Sequence, residues 1–144
     1  MNEYFAALEE AFDLYREELT ASAKKQKPMS GFLGFGRSIK DDECHERLDE
    51  RVEKAVSGIV EMKPSPSEAE QAVRILLRND GGTWIETARL MLQAVERHSI
   101  PLIPFLTKEA AERFYREYGN RYRRWERLPA QKKVFQELKK QAGR

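Results

Sequence analysis

Asp41, His45 and Asp49 recur at intervals of four residues, so a helix over this stretch places two carboxylates and an imidazole on one side. This is the chain's nearest approach to a metal site or an acid–base pair. A transition-metal site takes about three or four protein ligands, and the only other histidine, His98, belongs to a different predicted helix. The ladder therefore reads as a solvated, locally ion-paired histidine. The single cysteine, Cys44, falls on the apolar side of the same helix and reads as a small core residue. Gly31, Gly34 and Gly36 match neither phosphate-loop spacing, GxGxxG or GxxxxGK(S/T), and no strand precedes them. No Ser/His/Asp or Cys/His set has supporting spacing. The expectation is a protein without catalytic residues, metal or cofactor, with an enzyme the least expected class.

Two stretches point instead to binding. In PMSGFLGFGRS, residues 28 to 38, glycines alternate with Phe32, Leu33 and Phe35. These three side chains either plug into the body of the protein or form an exposed apolar loop that docks on a partner, and they are the candidate partner-binding residues. The second stretch is the C-terminal end. From residue 119 to 144 there are nine Lys and Arg against two Glu, net +7, leaving 17 basic and 22 acidic residues, net −5, in residues 1 to 118. Such polarity suits an anionic partner or an acidic face of a second copy. Arg121, Arg123, Arg124, Arg127, Lys132 and Lys133 are the candidate nucleic-acid-binding residues. Against that reading, Glu109 to Arg113, Glu112 to Arg116 and Glu117 to Arg121 are ordinary i,i+4 pairs of a solvated helix. The turn from Asn79 to Thr83 is followed by Trp-Ile-Glu-Thr, poor in base-reading groups, so no helix-turn-helix is assigned.

The elements that position these residues are all helical. The first helix is predicted from Asn2 to about Lys27, where Pro28 ends it, with Phe5, Leu8, Phe12, Tyr15 and Leu19 spaced 3, 4, 3, 4 along its seam. The second starts near Ser38 or Asp41 and turns Cys44, Leu48, Val52, Ala55, Val56 and Ile59 inward, ending at Lys-Pro-Ser-Pro-Ser. Ser65, Pro66 and Glu68 mark a third start, and that helix reaches about Arg78.

The apolar centre of the chain is Thr83 to Leu106. Thr83 and Glu86 have capping-box spacing, and a helix to His98 puts Trp84, Ala88, Met91, Leu92 and Val95 on one face with Glu86, Arg89, Gln93 and Arg97 opposite. Pro101 and Pro104 predict an extended crossover. Thr107 caps a fifth helix, in which Ala111, Phe114, Tyr115, Tyr118, Tyr122 and Trp125 keep helical spacing through Gly119. A last helix starts near Pro129, with Val134, Phe135 and Leu138 inward and Lys132, Lys133, Lys139 and Lys140 outward.

The 144 residues suffice for one core without disulfides or metal, so the expectation is a single domain spanning 1–144. Its class is an all-α bundle of five or six helices around a central apolar helix. No apolar run approaches the roughly 18 residues of a membrane span. The N-terminal MNEYFAALEE lacks a basic region ahead of an apolar core, so it reads as no signal peptide and the expected location is the cytoplasm. The expected function is a non-catalytic protein-interaction module whose partner is another protein or a second copy. A nucleic-acid-binding domain is the alternative.

Overall fold

In a computed structural model, the structure describes residues 1–33, 39–78, 86–121 and 129–143; of 22–33, 39–42, 86–90 and 120–121 it describes the backbone alone. These residues form α1 (Asn2–Leu33), α2 (Ile39–Glu61), α3 (Pro66–Arg78), α4 (Glu86–Val95), a 3₁₀ helix (Glu96–Phe105), α5 (Lys108–Arg121) and α6 (Pro129–Gln141). The chain is all-α, and no strand occurs among the described residues. No described helix is long and apolar enough to cross a membrane.

α1 and α2 pair as an antiparallel hairpin. Tyr4 lies on Gly58 near one end, and Glu18 sits between Arg47 and Arg51 nearer the other. The seam read from the sequence faces inward: Leu8, Phe12 and Tyr15 of α1 meet Leu48, Val52 and Ile59 of α2 in one cluster with Val73, Leu76, Leu102, Val134 and Leu138. α1 does not stop before Pro28 but continues to Leu33. A proline removes only its own N–H and crowds one carbonyl a turn earlier. Met29 to Leu33 keep their donors, and the helix resumes.

The apolar centre changes its winding rather than unfolding. The α-helix ends at Val95 and tightens into the 3₁₀ helix, where an extended crossover was expected. Proline fixes φ near −65°, which is also the 3₁₀ value, so Pro101 and Pro104 fit this winding without strain. With three residues per turn, Glu96, Ser99 and Leu102 fall in a single line, and all three are buried. The prolines lie on the solvent side. This segment packs against α2, α3, α4 and α6, so it is the hub of the bundle. Its exit is held by Gln141, whose side-chain amide donates to the carbonyls of Leu106 at 2.8 Å and Pro104 at 3.2 Å.

Helix ends follow the sequence closely. The Ser65 hydroxyl accepts from the Glu68 N–H at 3.2 Å while the Glu68 carboxylate accepts from the Ser65 N–H at 2.9 Å, a reciprocal cap. The Thr107 hydroxyl likewise accepts from the Ala110 N–H at 3.1 Å. Cys44 is buried, as its place on the stripe requires. Gln93, expected on the solvent side, is only 3% exposed. α4 contacts α2, α6 and the 3₁₀ helix, so more than one of its sides is covered.

Candidate interaction surface

The outer side of the α1–α2 hairpin carries a groove of about 370 Å³ lined by Tyr4, Ala7, Ala11, Leu14 and Ala55, with Glu3, Glu10, Arg51 and Lys54 at its edges. The α1 wall repeats at 4, 7, 11 and 14, a second 3, 4, 3 seam lying beside the one that faces the core. Small residues keep this wall low. Ala11 and Ala55 are buried at the floor, while Tyr4 and Leu14 are half-buried.

The edges differ in charge. Glu3 and Glu10 stand on α1, and Glu17 follows with the same seven-residue interval. Arg47, Arg51 and Lys54 stand on α2 at one-turn intervals. Glu18 accepts from Arg47 Nε at 2.8 Å and Arg51 Nη1 at 2.9 Å, so the two guanidinium groups are held in place. Burial pushes the Glu18 carboxyl up, but the hydrogen bonds and positive charge of Arg51 and Arg47 outweigh it and hold it below its ordinary value. The same carboxylate raises Arg47. Because the folded value is the lower one, the stabilisation is complete above the unfolded carboxylate range and disappears as the pH falls through the folded value. The stability advantage of the native chain over Glu18→Gln is therefore expected to shrink on acidification, as read from urea midpoints across a pH series; an advantage independent of pH would contradict this origin.

Gly58 shapes one end of the groove. A Cβ built there would lie 2.3 Å from Tyr4 Cε1 and 2.9 Å from Cδ1, so the ring rests on bare backbone. In an unconstrained helix interior, alanine is better than glycine by about 0.8–1.0 kcal/mol. Here the clash should reverse the sign. Gly58→Ala is expected to destabilise by roughly 1–3 kcal/mol in thermal or urea unfolding, and a stabilised variant would show that the ring does not need this backbone.

The residues singled out from the sequence are placed unevenly. Phe32 and Leu33 belong to the last turn of α1, not to an irregular loop, but their side chains lie outside the described residues, as does Phe35 altogether. Arg121 closes the backbone of α5; Arg123, Arg124 and Arg127 lie outside the described residues. Lys132 and Lys133 are exposed on α6. Of the Asp41/His45/Asp49 ladder, the side chain of Asp41 lies outside the described residues. Asp49 is taken by the next layer, its Oδ1 lying 2.7 Å from His98 Nε2 and 3.4 Å from Arg97 Nη2, which ties α2 to the 3₁₀ helix. Among the described residues no group of three His, Cys, Asp or Glu side chains is close enough to share a metal ion.

A smaller cleft of about 220 Å³ lies between α3 and α5, lined by Arg74, Leu77, Arg78, Phe114, Glu117 and Tyr118. Two of its four polar side chains are engaged elsewhere. Arg74 is paired with Glu70 at 2.9 Å, and the Tyr118 hydroxyl donates to the buried Glu96 carboxyl. The α1/α2 groove is the better candidate because its apolar floor and both charged edges face outward together. No known protein family, curated protein or solved structure matches the chain.

Proposed function

We propose that this protein is a non-catalytic helical interaction module whose α1/α2 groove receives an amphipathic helix of a partner protein. The observation that carries the reading is the groove's composition: a floor of small apolar residues between an acidic α1 edge and a basic α2 edge. A helix laid in it buries its apolar seam as in other helix-in-groove recognition. The fitting occupant has small apolar residues along that seam, basic side chains toward Glu3 and Glu10, and acidic side chains toward Arg51 and Lys54. Phe32, Leu33 and Phe35 remain in the proposal as further partner-binding residues, on the strength of their sequence alone.

Ala7 is exposed within the groove, so an arginine there fills the groove without entering the core. Ala7→Arg should leave the melting temperature nearly unchanged and weaken association by about ten-fold or more, since its bulk occupies the space that the partner helix must enter and overpacking costs about 1–3 kcal/mol. Light scattering of the tagged chain isolated from its own cells should give a complex heavier than 16.8 kDa for the native sequence and a monomer for Ala7→Arg. Equal masses for the two proteins would remove the groove from the account.

A further inference from the structure

The basic end of the chain has an exposed face of its own, separate from the α1/α2 groove. Between α5 and α6 lies a groove of about 240 Å³ lined by Tyr115, Lys132, Phe135, Gln136 and Lys139. Phe135 is buried and meets Tyr115 edge-on with ring centroids 5.8 Å apart, which props the tyrosine in the groove, where it stays half-buried. Lys132 and Lys139 stand seven residues apart, about 10 Å along the helix axis. Neither enters an ion pair among the described residues. Lys133 and Lys140 continue the exposed face, and the only acid of α6, Glu137, is one turn from each of those two rather than between Lys132 and Lys139.

We infer that this α5/α6 groove binds single-stranded nucleic acid, with backbone phosphates on Lys132 and Lys139 and an unpaired base against the Tyr115 ring. A positive groove that tracks the backbone, together with an aromatic side chain that accepts any base, is the physical basis of sequence-tolerant single-strand binding. Two observations favour a nucleic acid strand over an anionic membrane surface. A helix lying in a bilayer interface buries an apolar face in lipid, whereas Val134, Phe135 and Leu138 of α6 are already buried in the core. The outward positions are Lys132, Lys133, Gln136, Lys139 and Lys140, all exposed and none apolar. A single strand is favoured over a duplex because only unpaired bases are free to reach the ring.

The test is fluorescence anisotropy of the full chain with a fluorescein-labelled oligothymidylate. Binding is expected at low salt and should weaken steeply as salt rises, because phosphate contacts release condensed counterions. Lys132→Glu/Lys139→Glu reverses both charges at exposed positions and should lower affinity about ten-fold or more with an unchanged melting temperature. Tyr115→Leu keeps an apolar group on Phe135 but removes the stacking face, and should lower it about five-fold or more. Lys63→Glu, between α2 and α3, should bind as the native chain does. Absence of binding at low salt, or unchanged affinity in either groove variant, overturns the inference. So does binding to phosphatidylserine vesicles without binding to the oligonucleotide.

Discussion

Leu102→Ala is expected to destabilise the fold by about 2–5 kcal/mol. Leu102 has no exposed surface and occupies the inner line of the 3₁₀ helix. That segment joins α2, α3, α4 and α6, so a cavity there is walled by several elements rather than one. A site of this kind collapses poorly, because no single helix can move inward without leaving its other neighbours, and the cost belongs in the upper part of the range. Ile103→Val, beside it, removes one methyl group and should cost only about 0.5–1.5 kcal/mol. Urea unfolding of both variants checks the pair. A Leu102→Ala loss no larger than that of Ile103→Val would mean that the 3₁₀ helix is not the hub.

The second large effect concerns the polar pair inside the same region. Glu96 is 1% exposed and Tyr118 is 2% exposed, and the tyrosine hydroxyl donates to the Glu96 carboxyl across the contact between the 3₁₀ helix and α5. A buried carboxyl that loses a donor keeps its full desolvation cost. Tyr118→Phe removes that donor while nearly conserving volume, and should cost about 1.5–3 kcal/mol. By contrast, Arg97 is half-exposed and 3.4 Å from Asp49, so Arg97→Gln should cost no more than about 1 kcal/mol. Both are read from thermal or urea unfolding at neutral pH. A Tyr118→Phe variant as stable as the native chain would show that Glu96 is satisfied without this hydroxyl.

The fold was legible where the sequence carries one periodicity and a clear cap. The α1 seam, the α2 stripe and the reciprocal cap of Ser65 and Glu68 all appear where spacing and residue type placed them. Legibility failed where two rules competed. At Pro28 the proline outweighed helical periodicity in the reading, yet in the structure its effect is local and the helix continues. At Pro101 and Pro104 the same residue type suggested extended chain, because an α-helix cannot absorb it; a 3₁₀ helix can. The signal for that winding was present in the three-residue interval of Glu96, Ser99 and Leu102, but a buried glutamate is not what an apolar pattern search selects.

The candidate surface was hidden for a related reason. Tyr4, Ala7, Ala11 and Leu14 form a seam as regular as the core seam, but two alanines give it little apolar weight. It becomes a groove only when α2 supplies Ala55, Arg51 and Lys54 beside it. The Phe32 to Phe35 stretch drew attention because large side chains stand out in sequence. The four-residue spacing of the His45 ladder gives no sign that Asp49 reaches His98 across helices, a contact that needs the tertiary fold to be seen.

Site-specific photo-crosslinking of the full chain in its own cells tests the central claim most directly. A benzophenone amino acid replaces Ala7 in the groove or Glu9, half a helical turn away on α1. The account predicts one discrete protein adduct from position 7, none from position 9, and loss of the adduct when Arg51→Glu/Lys54→Glu reverses the basic edge. No adduct from position 7, or the same adduct from both positions, would contradict the claim that the α1/α2 groove is where this protein meets its partner.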